Sequence, residues 1–265
     1  YSVVIPAGGM LCDILMVGGG GSGGRDIGAG GGGGAVLYAT NILLKQDTYS
    51  LVVGRGAVFG SGETKGQSTT GFGAILLGGG SAGDATWNVA TYANDGGSGA
   101  GGKSVPDEWS RRGGRPIVGG SKKGGILCDG TLYEGKVGGY GVQQTTNQVV
   151  SSGGGGAGAV GGNGQQSGGS GGSAVGSSGG AGVSNTILDA TYFWGGGGGG
   201  GSYSYSTPPN GGAGGGGAGQ NQGGTTLIGN NGASSFFAVG TAINGINGTG
   251  GGGGGVGYTN ATAGS

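Results

Sequence analysis

Two stretches of the chain carry the residue types and spacing of phosphate-binding chemistry. Gly18, Gly20 and Gly23 follow the apolar run Ile14-Leu-Met-Val17 at the spacing of a dinucleotide fingerprint. In that motif, backbone N–H groups at a helix N-terminus hold a pyrophosphate. The sequel Arg25-Asp-Ile-Gly-Ala-Gly-Gly-Gly-Gly-Gly34 cannot hold such a helix, since each interior glycine costs about 1 kcal/mol relative to alanine. Gly97-Ser-Gly-Ala-Gly-Gly102-Lys103-Ser104 spells a phosphate loop, but Tyr92 to Asp95 precede it and Val105-Pro106 follow. Neither flank supplies the buried strand or the full helix that the loop needs. With 86 glycines in 265 residues, such matches arise by chance, and no cofactor is expected.

Other catalytic sets are missing. The chain has no histidine, which removes the usual Ser-His-Asp, Cys-His and histidine-metal arrangements. Carboxylates are isolated except Asp107-Glu108, which suit the start of a short helix better than acid–base work. The aspartates of a glycine-rich calcium repeat are absent. The expectation is a non-enzymatic protein with no metal site.

The remaining candidates are contact residues. Seven of the eleven basic residues lie between Lys103 and Lys136. An insert containing Trp109, Arg111, Arg112, Arg115, Lys122 and Lys123 is therefore the first candidate interaction surface. Trp87, Tyr92, Tyr203 and Tyr205 suit protein or carbohydrate contact, because aromatic rings give large, rigid contact area. The alternative for the insert is a solvated loop or a contact with a neighbouring subunit, and for these four aromatics it is packing over the ends of the glycine segments. Cys12 and Cys128 are either two free thiols or a disulfide, which would stabilise by about 4 to 5 kcal/mol in the loop-entropy model. Asn247 and Asn260 head N-glycosylation patterns, relevant only to an extracellular or eukaryotic product.

Composition narrows the class. Glycine near one-third suggests collagen, but collagen requires strict Gly-X-Y phasing and abundant proline, and this chain has five prolines. Disordered glycine-rich chains lack recurrent apolar segments; here Ile14 to Val17, Leu51 to Val53 and Phe72 to Leu77 border glycine blocks. Net charge is zero, and beyond Val137 the only charged side chain is Asp189. General nucleic-acid binding needs a basic surface that this chain lacks outside the insert. No run of 18 apolar residues is present, so no helical membrane insertion is expected. A start at Tyr1 suggests a segment of something larger.

The elements that must position these residues repeat one unit, an apolar run emptying into glycine. It occurs at Asp13 to Val17, Ala74 to Leu77, Val149-Val150 and Tyr192 to Trp194. The apolar runs read as strands, including Tyr1 to Ile5, Leu11 to Val17, Ala35 to Leu44, Tyr49 to Val53 and Phe72 to Leu77. Only Pro106 to Arg112 could make a short helix. Polyglycine suits neither helix nor strand. It suits the left-handed, three-residue-per-turn polyproline-II geometry, in which seven glycines span roughly 22 Å. Without side chains, such rods pack closely and bond to neighbours on several sides. The expected fold is mainly β with polyglycine II helices: a small β-sandwich merging into a polyglycine II bundle, with essentially no α-helix. One glycine-rich domain spans 1–265, with a strand-rich part at 1–83, a charged and aromatic insert at 84–152 and a polyglycine-rich part at 153–265. Segments 153–183 and 211–224 would supply further rods.

The stretch from Cys12-Asp-Ile-Leu-Met-Val17 through Gly24, then Ala35 to Tyr38, Tyr49 to Gly54 and Phe72 to Gly80 resembles the glycine-rich domains of marine phage and large algal virus proteins. It is similar, more distantly, to the glycine-rich region of the anaplastic lymphoma kinase ectodomain. The polyglycine sandwich of T-even-type phage tail-tip adhesins is a looser architectural likeness. The resemblance covers about residues 10–83 and is compositional beyond. It implies a viral structural or adhesive module (fibre, spike or capsid decoration) at a virion surface or otherwise extracellular. Its partners would be other virion proteins or a host-surface receptor or glycan, within a larger assembly. The alternative is a ligand-binding module of a secreted or receptor ectodomain.

Overall fold

A computed structural model of the chain describes residues 1–25, 27–58, 65–82, 93–102, 112–117, 131–133, 135–143, 149–166, 174–175, 177–202, 209–221 and 244–256. Among these the protein is mainly β, with short antiparallel strands in small sheets and no helix. The expected helix at Pro106 to Arg112 lies outside the described residues apart from Arg112, which sits in a bend.

The first 80 residues hold the longest strands. β1 (Ser2–Ile5) pairs with β4 (Asp47–Ser50), while β2 (Met10–Val17) pairs with β3 (Val36–Leu44). A third strand, β7 (Thr131–Tyr133), adds to the far side of β3. The turn from Pro6 to Gly9 therefore links two sheets and does not close a hairpin. Positive φ at Gly8 and Gly9 makes that sharp exit possible.

Midway along the β2–β3 pair the register slips, so that Asp13 opposes both Thr40 and Asn41. Asn41 takes a φ of 56° and donates its N–H to Asp13 Oδ1 at 2.8 Å. Asparagine tolerates this left-handed region better than most residues, and the carboxylate takes over the ladder bond lost at the bulge.

β5 (Thr69–Gly71) and β6 (Ala74–Leu76) form a two-residue hairpin. Phe72 and Gly73 are its loop, with φ values of 48° and 81°, the positive pair of a type I′ turn. This corrects the expectation of one strand from Phe72 to Leu77. The Phe72 ring lies 5.3 Å from that of Tyr49, a contact that offsets the unfavourable backbone.

Alternation along β2 builds two cores. Ile14 and Met16 join Ile5, Leu37, Leu44 and Leu76 in one cluster. Leu15 and Val17 point the other way, onto Val36, Ala157 and Trp194. Trp194 ends β13 (Tyr192–Trp194), which pairs with β12 (Val183–Asn185). Further short strands lie at β8 (Val142–Gln143), which pairs with β9 (Val149–Val150), and at β10 (Gln165–Gln166), which pairs with β11 (Ala174–Val175). Segment 153–183 is accordingly not uninterrupted glycine structure, because Gln165–Gln166 and Ala174–Val175 pair as strands within it.

Strands β2, β6, β9 and β13 each run into a glycine segment. Those segments form neither α-helix nor β-ladder, and their backbone bonds follow a different rule. Along 30–35, the N–H groups donate in turn to Ser152, Gly253, Gly80, Gly155, Gly250 and Leu77, at 2.8–3.0 Å. The partner segment thus repeats every third residue. Carbonyls obey the same period: Gly30 accepts from Gly101, Gly31 from Gly198, Gly32 from Gly21 and Gly33 from Ser98. Segment 28–35 is therefore bonded to six neighbours, around residues 18–24, 77–80, 98–101, 151–156, 198–201 and 250–253.

The segment at 195–202 repeats the pattern. Gly196, Gly199 and Ser202 donate to Gly214, Gly217 and Gln220, while Gly197 and Gly200 donate to Gly180 and Ser177. The first set runs parallel and the second antiparallel. Positive φ falls at Gly195, Gly214, Gly215 and Gly250, where segments begin or reverse.

Absence of side chains is what allows this spacing. A Cβ placed on Gly31, Gly32, Gly154 or Gly198 would come within 3.0 Å of a carbonyl in an adjoining segment. Larger residues enter only where neighbours leave room: Ala29, Ala82 and Ala100 meet in a small buried cluster of their own. Ser152 is buried because its Oγ bonds to Gly102 O and Gly139 O, at 2.9 and 2.7 Å.

Candidate functional site

The two phosphate-binding patterns can be judged by where their amides point. Gly18, Gly19, Gly21 and Gly24 donate to Ala35, Gln67, Gly32 and Ala29. Every residue from Gly97 to Gly102 likewise gives its N–H to a backbone carbonyl. A phosphate cradle requires such amides to converge on open space. Here the amides of 97–102 are all engaged by carbonyls of surrounding segments, as are those of Gly18, Gly19, Gly21 and Gly24, and Lys103-Ser104 lie outside the described residues.

Most of the expected contact residues also fall outside them: Trp87, Tyr92, Trp109, Arg111, Lys122, Lys123, Tyr203 and Tyr205, together with Cys128 and Asn260. Arg112 and Arg115 are both exposed. The Arg115 N–H donates to Asp95 Oδ1 at 2.6 Å, and an isolated parallel bridge joins Gly96 to Pro116. That stretch is thereby tied to the start of the 96–102 glycine segment. Cys12 is a half-buried free thiol. Asn247 is exposed, whereas Thr249 of the same glycosylation pattern is buried.

Sequence reasoning missed an apolar groove of ≈590 Å³ at the strand-rich end. Its walls come from β1, β2 and the β5–β6 hairpin, closed by Leu51 to Val53 and by Ile187, Leu188 and Trp194. Leu51 to Val53 read as strand in the sequence, yet only Val52 makes a bridge, to Thr70. Val52 and Val53 are left 59% and 61% exposed. Met10, Leu11, Leu43 and Leu188 are also exposed, so apolar surface continues around the groove. Contiguous exposed apolar surface of this kind marks interaction sites in folded proteins.

A second cavity of ≈390 Å³ lies where the strands become glycine, lined by residues from 17–20, 53–58 and 245–251. Thr69 lines the first beside Val17 and Val53, which line both. Its Oγ1 donates to Val17 O at 2.6 Å and accepts from Gly54 N–H at 2.9 Å. One buried hydroxyl thus fixes two points at which an apolar run enters glycine. The groove offers little for chemistry: its carboxylate, Asp13, is engaged by Asn41, and among the described residues no group of acidic, cysteine or histidine side chains could hold a metal ion. Its physical capacity is apolar binding. No helix among the described residues is long and apolar enough to cross a membrane. Comparison with protein-family models, curated proteins and solved structures returns no match.

Proposed function

We propose that this chain is a non-enzymatic structural and adhesive module of a virus particle, whose glycine segments are polyglycine II helices packed as a rigid bundle on a small β-sandwich. The observation that carries the scaffold reading is the three-residue period in bonding partners, with six neighbours around segment 28–35. A threefold helix directs successive N–H and C=O groups about 120° apart, and hexagonal packing follows from that geometry. The three small sheets that share the cluster of Ile5, Ile14 and Leu76 supply the sandwich.

Such a bundle derives its rigidity from backbone bonds that link many segments, each worth about 1 kcal/mol net. Stiffness without catalytic groups suits a fibre, spike or decoration protein. Virion placement rests on the resemblance of residues 10–83 to viral glycine-rich domains. Contacts are assigned to the apolar groove and to the basic and aromatic insert, facing neighbouring virion subunits or a host-surface receptor or glycan. The free thiol of Cys12 lends no support to a disulfide-stabilised receptor ectodomain.

The test is binding of the purified chain to the particle from which it derives and to host cells. Specific binding to either is expected, and binding to neither sinks the adhesive role. Far-UV circular dichroism checks the scaffold separately: a polyproline-II-like spectrum with a cooperative melt is expected, and a non-cooperative melt contradicts it.

A further inference from the structure

Asn-Gly pairs recur at Asn163, Asn210, Asn244 and Asn247 among the described residues. In such a pair the glycine amide nitrogen can attack the asparagine side-chain carbonyl, because no β-carbon obstructs the approach. A C–N bond forms, ammonia leaves, and the resulting succinimide is opened by water to aspartate or isoaspartate. The net change is amide plus water to carboxylic acid plus ammonia, with no other reactant. The fold decides which pair can do this.

Asn163 is held on both reacting groups. Its Oδ1 accepts from Tyr140 N–H at 2.7 Å, and the Gly164 N–H donates to Tyr140 O at 2.9 Å. Nucleophile and electrophile are therefore each tied to the same residue of a neighbouring segment. Asn247 is the opposite case. It is exposed at the tip of a turn, and neither its side chain nor the Gly248 N–H has a hydrogen-bond partner among the described residues.

The turn itself is anchored from below. Thr249 Oγ1 donates to Ile246 O at 2.7 Å and accepts from Gly251 N–H at 3.2 Å, and Thr249 O accepts from Gly195 N–H at 2.8 Å. Gly248 takes a φ of 82°, so the tip requires glycine after Asn247.

We propose that Asn247–Gly248 is a self-modification site, converting to aspartate or isoaspartate through a succinimide, while Asn163–Gly164 is protected by the fold. The product places a carboxylate in the second cavity, which Asn247 and Arg55 both line. It does so in a stretch where Asp189 is otherwise the only charged side chain beyond Val137. Conversion also removes the glycosylation acceptor at Asn247.

The test is peptide mapping by mass spectrometry of the full recombinant chain, held at mildly alkaline pH, folded and in denaturant. In the folded chain, Asn247 is expected to convert about thirtyfold faster than Asn163, the cost of opening two ordinary hydrogen bonds. In denaturant the two rates should converge. N247Q should abolish the product at position 247, located by fragmentation apart from Asn244, without moving the thermal melt. Equal rates in the folded chain, or faster conversion at Asn163, overturn the proposal.

Discussion

Replacing Gly31 by alanine tests the packing rule directly. A β-carbon at Gly31 would lie within 3.0 Å of the carbonyl oxygens of Gly21 and Ser22, so segment 18–24 must move away from segment 28–35. Three bonds join those segments, from Gly18 to Ala35, Gly21 to Gly32 and Gly24 to Ala29, at 2.9–3.0 Å. Losing them costs about 3 kcal/mol, and overpacking adds about 1 to 3 kcal/mol. Gly31 has no positive φ, so alanine returns about 0.4 to 1 kcal/mol by restricting the unfolded chain. The net expectation is a loss of about 3 to 5 kcal/mol, or a drop in Tm of about 6 to 10 °C for a chain of this size.

Gly56 is the control. A methyl group placed there would find Gly20 O as its nearest neighbour, at 3.9 Å, so Gly56→Ala should be neutral or slightly stabilising. Thermal melts of both variants by circular dichroism decide the matter. A Gly31→Ala protein that melts with the parent and with Gly56→Ala would refute the close-packing argument.

Other consequences follow from named contacts. Thr69→Val removes the donor to Val17 O and the acceptor for Gly54 N–H; leaving both unpaired should cost about 2 to 3 kcal/mol in denaturant unfolding, with Thr69→Ser recovering most of it. ATP added in large excess should leave the melting temperature unmoved, because the amides of 97–102 are all engaged; a stabilisation that grows with ligand concentration would show that those amides can be freed. Val52→Asp combined with Leu188→Asp places two charges in the apolar groove at exposed positions, so stability should change by less than about 1 kcal/mol. Particle or host-cell binding should nevertheless fall at least about tenfold, the loss of one well-packed apolar contact; unchanged binding would assign contact to another surface.

Much of the local structure is legible in the residues. β-branched and aliphatic runs such as Ile14 to Val17 mark strands, and the shift to glycine marks where each strand ends. The residues that follow the phosphate-loop and dinucleotide patterns read as unsuited to the helix those motifs need, and the structure adds that the amides of 97–102 are engaged by backbone carbonyls. Other features are hidden. Phe72 lies in a turn because a two-residue I′ loop, with the Phe72 ring in tilted contact with that of Tyr49, outweighs its own strand preference. The groove is invisible because exposure of Val52 and Val53 depends on what fails to cover them. No local pattern records a missing neighbour.

The sequence by itself determined that a conventional core is small, that short strands alternate with glycine, and that charge gathers in one insert. Tertiary structure alone decided which segments lie side by side. The β1 strand passes over its neighbour β2 to pair with β4, and segment 28–35 selects six partners from across the chain. The reason is physical: a glycine segment offers identical N–H and C=O groups at every step and no side chain to specify register. Partner choice is therefore imposed from outside the glycine, by the strands that lead into it, by Thr69 at their junctions, and by the few alanines and serines for which the bundle leaves space.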